Sequence, residues 1–259
     1  MSKLVNLVRK KVVGGILKFG MIQNGDKIIV AVSGGKDSLA LLDVLAHLQH
    51  NSQFKFELIP VYIVPQVPGI KIFEQELIQV FKSYNLDYII QPMEIPPTSK
   101  LKEGIESGQT CQWCTYARRI ALFKLTERIG ATKIAYGHHM DDIITTLFMN
   151  VDSSNRLKIM PPVNKMRKGD FSIIRPLARI RESDIVKYGN ILGLVPLKAE
   201  CPLEKISKRK KVSQLLGKIE EEMPHFVEKM FNAYINKIGN DFETDDRNLD
   251  KYSKTIDIS

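Results

Sequence analysis

The chain has no run of the roughly 18 to 20 apolar residues that a membrane-spanning helix requires. Its N-terminus also lacks the form of a secretory leader. Arg9, Lys10 and Lys11 interrupt the apolar residues, and no small-residue cleavage site follows. Both absences lead us to expect a cytoplasmic protein with no membrane partner. Cysteine is scarce, with three in 259 residues. An odd, low count without an export signal argues against a disulfide framework. No internal repeat is present.

Acidic residues dominate at one end only. Residues 240–259 hold six acids against three bases, a charge of −3, and the whole chain carries +9, which leaves +12 on residues 1–239. A basic body suits a polyanionic partner, most often nucleic acid. It also suits a soluble basic protein with no such partner. Residues 205–211, KISKRKK, concentrate five bases in seven positions.

Short apolar runs alternate with amphipathic segments. Residues 4–19 carry apolar positions at helical spacing, weakened by Gly14 and Gly15, and NGD at 24–26 is a turn. Strands are expected at 27–32, 56–64, 87–91 and 133–137, with a shorter one in FSIIRPL. Helices are expected after SGGKDS, at about 70–84 and 112–129, from Asp141 onward, and in RESDIVKYGNILG. Residues 92–110 form a loop rich in Pro, Thr, Ser and Gly. This alternation predicts an α/β fold, a doubly wound and mainly parallel sheet with helices on both faces. Segments that follow strands then gather on the carboxyl edge of the sheet, where such folds bind ligands.

One such segment is SGGKDS, Ser33–Ser38, directly after the strand ending in Val32. It is not a Walker loop: no glycine stands at the required distance before Gly35-Lys36, and Asp37 follows the lysine. It is not G-x-G-x-x-G either. Gly34 and Gly35 let backbone approach an anion, and the amides of the following helix point at it. Ser33 and Ser38 add hydroxyls, Lys36 adds a positive charge, and Asp37, which would repel phosphate, suits Mg²⁺. A second segment, GHHMDD (137–142), follows the strand KIAYG. Its acids favour a helix start, and Asp142 at a strand's carboxyl end also suits Mg²⁺ and pyrophosphate.

The cysteines fall as TCQWC, with Cys111 and Cys114, and as a lone Cys201 in AECPLEK. The pair alone is compatible with zinc, with a redox dithiol or with an iron–sulfur cluster. Structural zinc wants four closed ligands and only three cysteines exist. A thioredoxin-type pair needs its own βαβ unit. A cluster held by three thiolates keeps one iron open.

SGGKDS closely resembles the PP-loop of the ATP pyrophosphatases, which implies cleavage of ATP to AMP and pyrophosphate. Longer segments resemble the tRNA 2-thiocytidine synthetase family: FGMIQNGDKIIVAVSGGKDSLALLDVLAHLQ, TCQWCTYARRIALF, GATKIAYGHHMDDIITTLFMN, LKIMPP and IRPLARIRESDI. The resemblance runs from about residue 4 to Pro202. It implies a three-cysteine 4Fe–4S cluster on Cys111, Cys114 and Cys201, beside an ATP site at Ser33, Gly34, Gly35, Lys36, Asp37 and Ser38, with Gly137 to Asp142 as its GHHxDD motif. Relatives that thiolate uridines share these features, and many carry terminal zinc ribbons that are absent here. Thr145 and the segment around Cys201 depart from the family pattern and bear on the target nucleoside more than on the mechanism.

The resulting expectation is a tRNA sulfurtransferase with four segments. These are an N-terminal helix in 1–23, a PP-loop domain with the Fe–S site in 24–203, a basic helical extension in 204–239 and an acidic tail in 240–259. Asp37 and Asp142 hold Mg²⁺, backbone near Ile63 meets adenine, and Arg118 assists the cysteines and the nucleotide. Lys205, Lys208, Arg209, Lys210 and Lys211 contact tRNA phosphates. The target is a pyrimidine, cytidine 32 of the anticodon loop first and a uridine second. Sulfur comes from a cysteine desulfurase or free sulfide, and a homodimer is compatible with the N-terminal helix. The alternatives are a PP-loop ligase with a structural metal and a nucleotide-gated RNA-binding module.

Overall fold

The computed structural model describes residues 2–52, 54–66, 71–93, 110–166, 170–197 and 208–238, with 110–113 described by backbone alone. Cys201, Lys205 and the tail at 240–259 lie outside the described residues, as does most of the 92–110 loop.

Six strands form one sheet: β1 (Lys27–Ala31), β2 (Glu57–Val64), β3 (Ile89–Pro92), β4 (Lys133–Ala135), β5 (Val163–Lys165) and β6 (Ser172–Ile174), in spatial order β3-β2-β1-β4-β6-β5. All pairs are parallel except β5 with β6. The expected strands are present. β5 was not anticipated, because three residues without alternation carry no period. FSIIRPL ends its strand at Ile174, and Pro176–Arg179 forms a 3₁₀ turn.

The helices are α1 (Lys3–Lys18), α2 (Lys36–Asn51), α3 (Glu74–Ser83), α4 (Thr110–Ile129), α5 (Met140–Ser154), α6 (Glu182–Leu192), α7 (Lys208–Glu222) and α8 (Phe226–Ile238). Strand alternation divides them between the two faces. Ile28 and Val30 of β1 pack in one core with Val5, Val8, Val12 and Ile16 of α1, with α2, with Leu77 and Phe81 of α3, and with Ile185 and Tyr188 of α6. Ile29 points the other way, onto Ala121, Leu122 and Leu125 of α4. A third cluster joins Ile143, Ile144 and Leu147 of α5 to Leu216 of α7 and to Val227, Phe231 and Ile235 of α8. No helix among the described residues is long and apolar enough to cross a membrane.

Asp43 of α2 ties the first face together. Its carboxylate accepts from Arg9 (3.0 Å), from the Tyr84 hydroxyl (3.1 Å) and from the Tyr188 hydroxyl, while Arg9 Nε also donates to Tyr188 (3.0 Å). The Arg9 and Asp43 side chains are each 13% exposed, so the pair is shielded enough to matter. Burial and then Asp43 push both tyrosines above their usual range. Removing one partner from such a network strands the others, at about 3 kcal/mol. Asp43→Ala should therefore lower unfolding stability by about that amount in urea titration. A loss of under about 0.5 kcal/mol, the scale of a surface substitution, would show that the network is idle.

Candidate nucleotide and sulfur-transfer site

Strands β1 and β4 are neighbours, and the loops that leave their carboxyl ends are SGGKDS and GHHMDD. The chain builds outward from β1 toward β2 on one side and reaches β4 on the other. This is the switch point at which doubly wound sheets bind ligands. The two loops interlock there. A Cβ on Gly137 would lie 3.0 Å from the carbonyl carbon and oxygen of Asp37 and 3.2 Å from the Ser38 nitrogen. A side chain at position 137 would therefore press on backbone and require it to give.

SGGKDS is braced from within. The Ser38 hydroxyl donates to the Gly35 carbonyl (2.8 Å) and accepts from the Ser33 amide (3.2 Å), while the Gly35 amide reaches Ser33 Oγ at 3.4 Å. Gly34 adopts φ +86°, a region that favours glycine. Gly35 is the N-cap of α2 and offers no side chain to its first amides, which leaves those donors for a ligand. Lys36 Nζ contacts Asp37 (3.0 Å) and Glu182 (2.7 Å). Burial opposes its charge, but the two carboxylates prevail and its basicity rises.

The acids of GHHMDD divide their work. Asp141 accepts from Arg181 Nε (3.0 Å) and from the Glu182 amide (2.7 Å), so it caps α6 from outside. Burial would raise its pKa; His139, that amide and Arg181 hold it below the usual range. Asp142 faces the cleft and forms a capping box with His139. His139 is 3% exposed and lies 3.4 Å from Asp142 and 3.8 Å from Asp37. Burial alone would discharge it, but Asp141, Asp142 and Asp37 raise its pKa. Arg181 also grips Glu220 of α7 through two bonds, at 3.0 and 2.6 Å. That grip brings Arg209 over the cleft, where it pairs with Asp142 at 2.5 Å. Lys208 pairs with Asp152 of α5.

Beside these contacts lies one open cleft of about 1360 Å³, whose lining does not include Gly34 or Lys36. Ser33, Gly35, Asp37, Ser38, Ile63, Gly137, Asp142, Arg118 and Arg209, all anticipated from the sequence, are among its walls. Five buried side-chain atoms have no hydrogen-bond partner among the described residues: Asp37 Oδ1, Arg118 Nε, Tyr136 Oη, His138 Nδ1 and Arg175 Nε. All five belong to residues that line this cleft. Tyr136 and Arg175 were missed in the sequence. Their signal was position, since each stands at the carboxyl end of a strand, in KIAYG and in IIRPL.

The residues suit the groups that the sequence implied. The buried free oxygen of Asp37 and the Asp142 carboxylate share the cleft, and Mg²⁺ characteristically takes one or two carboxylates plus phosphate oxygens. No group of three or more His, Cys, Asp or Glu side chains that could hold a metal occurs among the described residues. Cys114 is a free thiol on the first turns of α4, packed against the second core, and Arg118 Nη2 lies 3.1 Å from its sulfur. Cys111 stands three residues earlier in the same helix, and Cys201 lies beyond the described residues.

The strand–SGGKDS–helix cradle at the switch point of a parallel sheet defines a PP-loop protein, and the PP-loop domain family matches residues 8–195. A tRNA-cytidine(32) 2-sulfurtransferase of Vibrio cholerae is 36% identical over 98% of this chain and 83% of its own length. One of Shewanella baltica is 38% identical over 91% and 76%. The chain belongs to the family of these tRNA-cytidine(32) 2-sulfurtransferases. Among solved structures, the U34-tRNA thiolase NcsA from Methanococcus maripaludis with its 4Fe–4S cluster shares the fold. Its TM-score is 0.74 at 20% identity, over 91% of this chain and 79% of that one.

Gly137→Ala should drive backbone into backbone. The expected result is at least a tenfold loss of ATP affinity in calorimetry, together with a stability loss of about 1 to 3 kcal/mol. Unchanged ATP binding would disprove the interlock. His138 gives a pH test. Burial first, and the charge of Arg175 second, lower its pKa from 6.5 to about 4. Between those values the unfolded chain binds more protons than the folded one, so stability rises with pH. It is lost as pH falls from 6.5 to 4, by up to about 3 kcal/mol. His138→Gln should flatten this part of the urea midpoint–pH curve, and an NMR titration of the His138 ring that inflects near 6.5 would refute the assignment.

Proposed function

We propose that the protein is an ATP-dependent tRNA sulfurtransferase that adenylates the carbon-2 carbonyl of a tRNA pyrimidine, cytidine 32 first, and replaces that oxygen with sulfur. One observation carries this reading. A single cleft is walled by the phosphate cradle and by the cysteine-bearing helix, and Arg118 reaches from the cleft to Cys114 Sγ.

ATP lies with its phosphates over Ser33–Ser38 and its adenine against the backbone near Ile63. The uncapped amides of α2 and the hydroxyls of Ser33 and Ser38 hold the anion. Lys36 exchanges its contact with Asp37 for phosphate; Asp37 and Asp142 would hold Mg²⁺, which would supply positive charge to the phosphate oxygens. Arg209 gives up Asp142 in the same exchange. The base oxygen attacks the α phosphorus. A new P–O bond forms, the bond to the bridging oxygen breaks, and pyrophosphate leaves with the electron pair, its charge balanced by Lys36. Sulfur then bonds to carbon 2 and AMP departs with the C–O electrons. Sulfur enters at the oxidation level of sulfide, so no net electrons are required.

Cys111, Cys114 and Cys201 would hold a 4Fe–4S cluster, which would supply an iron site open to sulfide, taken up as free sulfide or released from a cysteine desulfurase's persulfide by a thiol reductant. Arg118 gives the Cys114 sulfur a counter-charge. Lys205, Lys208, Arg209, Lys210 and Lys211 take tRNA phosphates, which makes affinity salt-dependent.

Nucleoside mass spectrometry of tRNA from cells with and without the gene tests this. 2-Thiocytidine should vanish without it and return with the wild type, but not with Cys114→Ala or Asp142→Asn. Loss of a thiouridine instead would move the target. Persistence of every thionucleoside, in cells with no redundant enzyme, would end the tRNA reading.

A further inference from the structure

The cleft is larger than a nucleotide needs. Small-molecule sites usually measure about 300–1000 Å³, and this one is about 1360 Å³. The proposed nucleotide lies over β1 and β2. Beyond β4 the cleft continues across β6 toward β5, where its walls include Met160, Pro161, Met166 and Ile173. The polar groups at the strand ends in this lobe are Tyr136 and His138, at and just past the end of β4, and Arg175, just past β6, and Asn164 of β5 also lines it. Three of the cleft's five unpartnered buried atoms are theirs: Tyr136 Oη, His138 Nδ1 and Arg175 Nε.

An unpaired buried polar atom costs about 1 to 3 kcal/mol. Three in one lobe are completed by ordered water or by a ligand that displaces it. They are also held in place. Arg175 is 8% exposed, and its Nη1 donates to the Pro161 carbonyl at 2.6 Å, which fixes the direction of Nε. The Tyr136 and His138 rings lie 5.5 Å apart at 37°. The set combines a guanidinium donor, a phenol that donates or accepts, and an imidazole nitrogen that can accept. Phosphate needs donors alone. A neutral pyrimidine offers carbonyl and ring-nitrogen acceptors beside an amino donor, and matches the mixture. Apolar walls suit its faces. Three exposed cations, Arg119, Lys158 and Arg209, also line the cleft and are available to the phosphates on either side of an extruded nucleotide.

We propose that the lobe over β4, β6 and β5 is the subsite for the target base, a pyrimidine turned out of the RNA strand and read on its edge by Tyr136, His138 and Arg175. The assignment rests on the tRNA-thiolating function proposed above.

The test uses the full chain, wild type and with Tyr136→Phe or His138→Gln. Tyr136→Phe keeps the ring and removes only the oxygen. An anticodon stem-loop carrying a fluorescent cytidine analogue at position 32 is titrated without ATP, and thiolation of whole tRNA is measured separately. Wild type should change the analogue's emission, and the variants should lose that change. They should keep RNA affinity within about twofold, because phosphates dominate it. Their kcat/KM for tRNA should fall about tenfold, the factor that one good hydrogen bond supplies, with ATP affinity unchanged. Active wild type with variants equal to it would overturn the subsite alone. So would an equal loss of ATP affinity, which would place these residues against the nucleotide. Wild-type protein that thiolates no tRNA would overturn the functional reading and the subsite together.

Discussion

Two parallel strands that end side by side, with their loops pressed backbone to backbone, impose the main constraint on this molecule. Position 137 lies so near the backbone of Asp37 that a Cβ there would be 3.0 Å from its carbonyl, so the phosphate cradle and the second acidic loop meet closely. The adjacency of β1 and β4 brings the two loops together, and Asp37 and Asp142 line a common space.

Charge in the cleft is balanced by contacts that exist without ligand. Lys36 rests between Asp37 and Glu182, Arg209 on Asp142, and Arg181 among Asp141, Glu220 and Glu228. Arg181 is the structural member. It joins the start of α5 to the start of α6 and to α7, and burial acting against it is outweighed by its carboxylate partners, which raise its basicity. Lys36 and Arg209 are the exchangeable members, each on a carboxylate that a metal or phosphate could relieve. Arg175 differs from both: it is buried without a carboxylate, and burial lowers its pKa to about 10.

Much of this was legible in the sequence. Period and order gave the alternating strands and helices, since buried parallel strands read as short apolar runs. SGGKDS was legible as an anion cradle because its chemistry is local. Lys36's partner Glu182 and Arg209's partner Asp142 were not, because those pairs join positions 146 and 67 residues apart through the fold. KISKRKK reads as a solvated basic run, and the docking of α7 against α5, through Leu216 and the Arg181–Glu220 pair, sets Arg209 beside Asp142. β5 was invisible for another reason: three edge residues carry no pattern, and only pairing with β6 makes them a strand. Tyr136 read as a strand residue, and its free hydroxyl is a property of the cavity that surrounds it.

The first helix has a consequence for how the chain is made. Val5, Val8, Val12 and Ile16 of α1 are buried against the 3₁₀ turn at Pro176–Arg179 and against α6, and Arg9 bonds Tyr188. These partners are synthesised last in the domain. At about 5 to 20 residues per second, roughly 9 to 35 seconds separate the emergence of Lys18 from that of Leu192. Throughout that interval the main packing surfaces of the stripe are missing, although Asp43 of α2 already offers Arg9 its ion pair. The helix is thus made long before the elements that bury most of it.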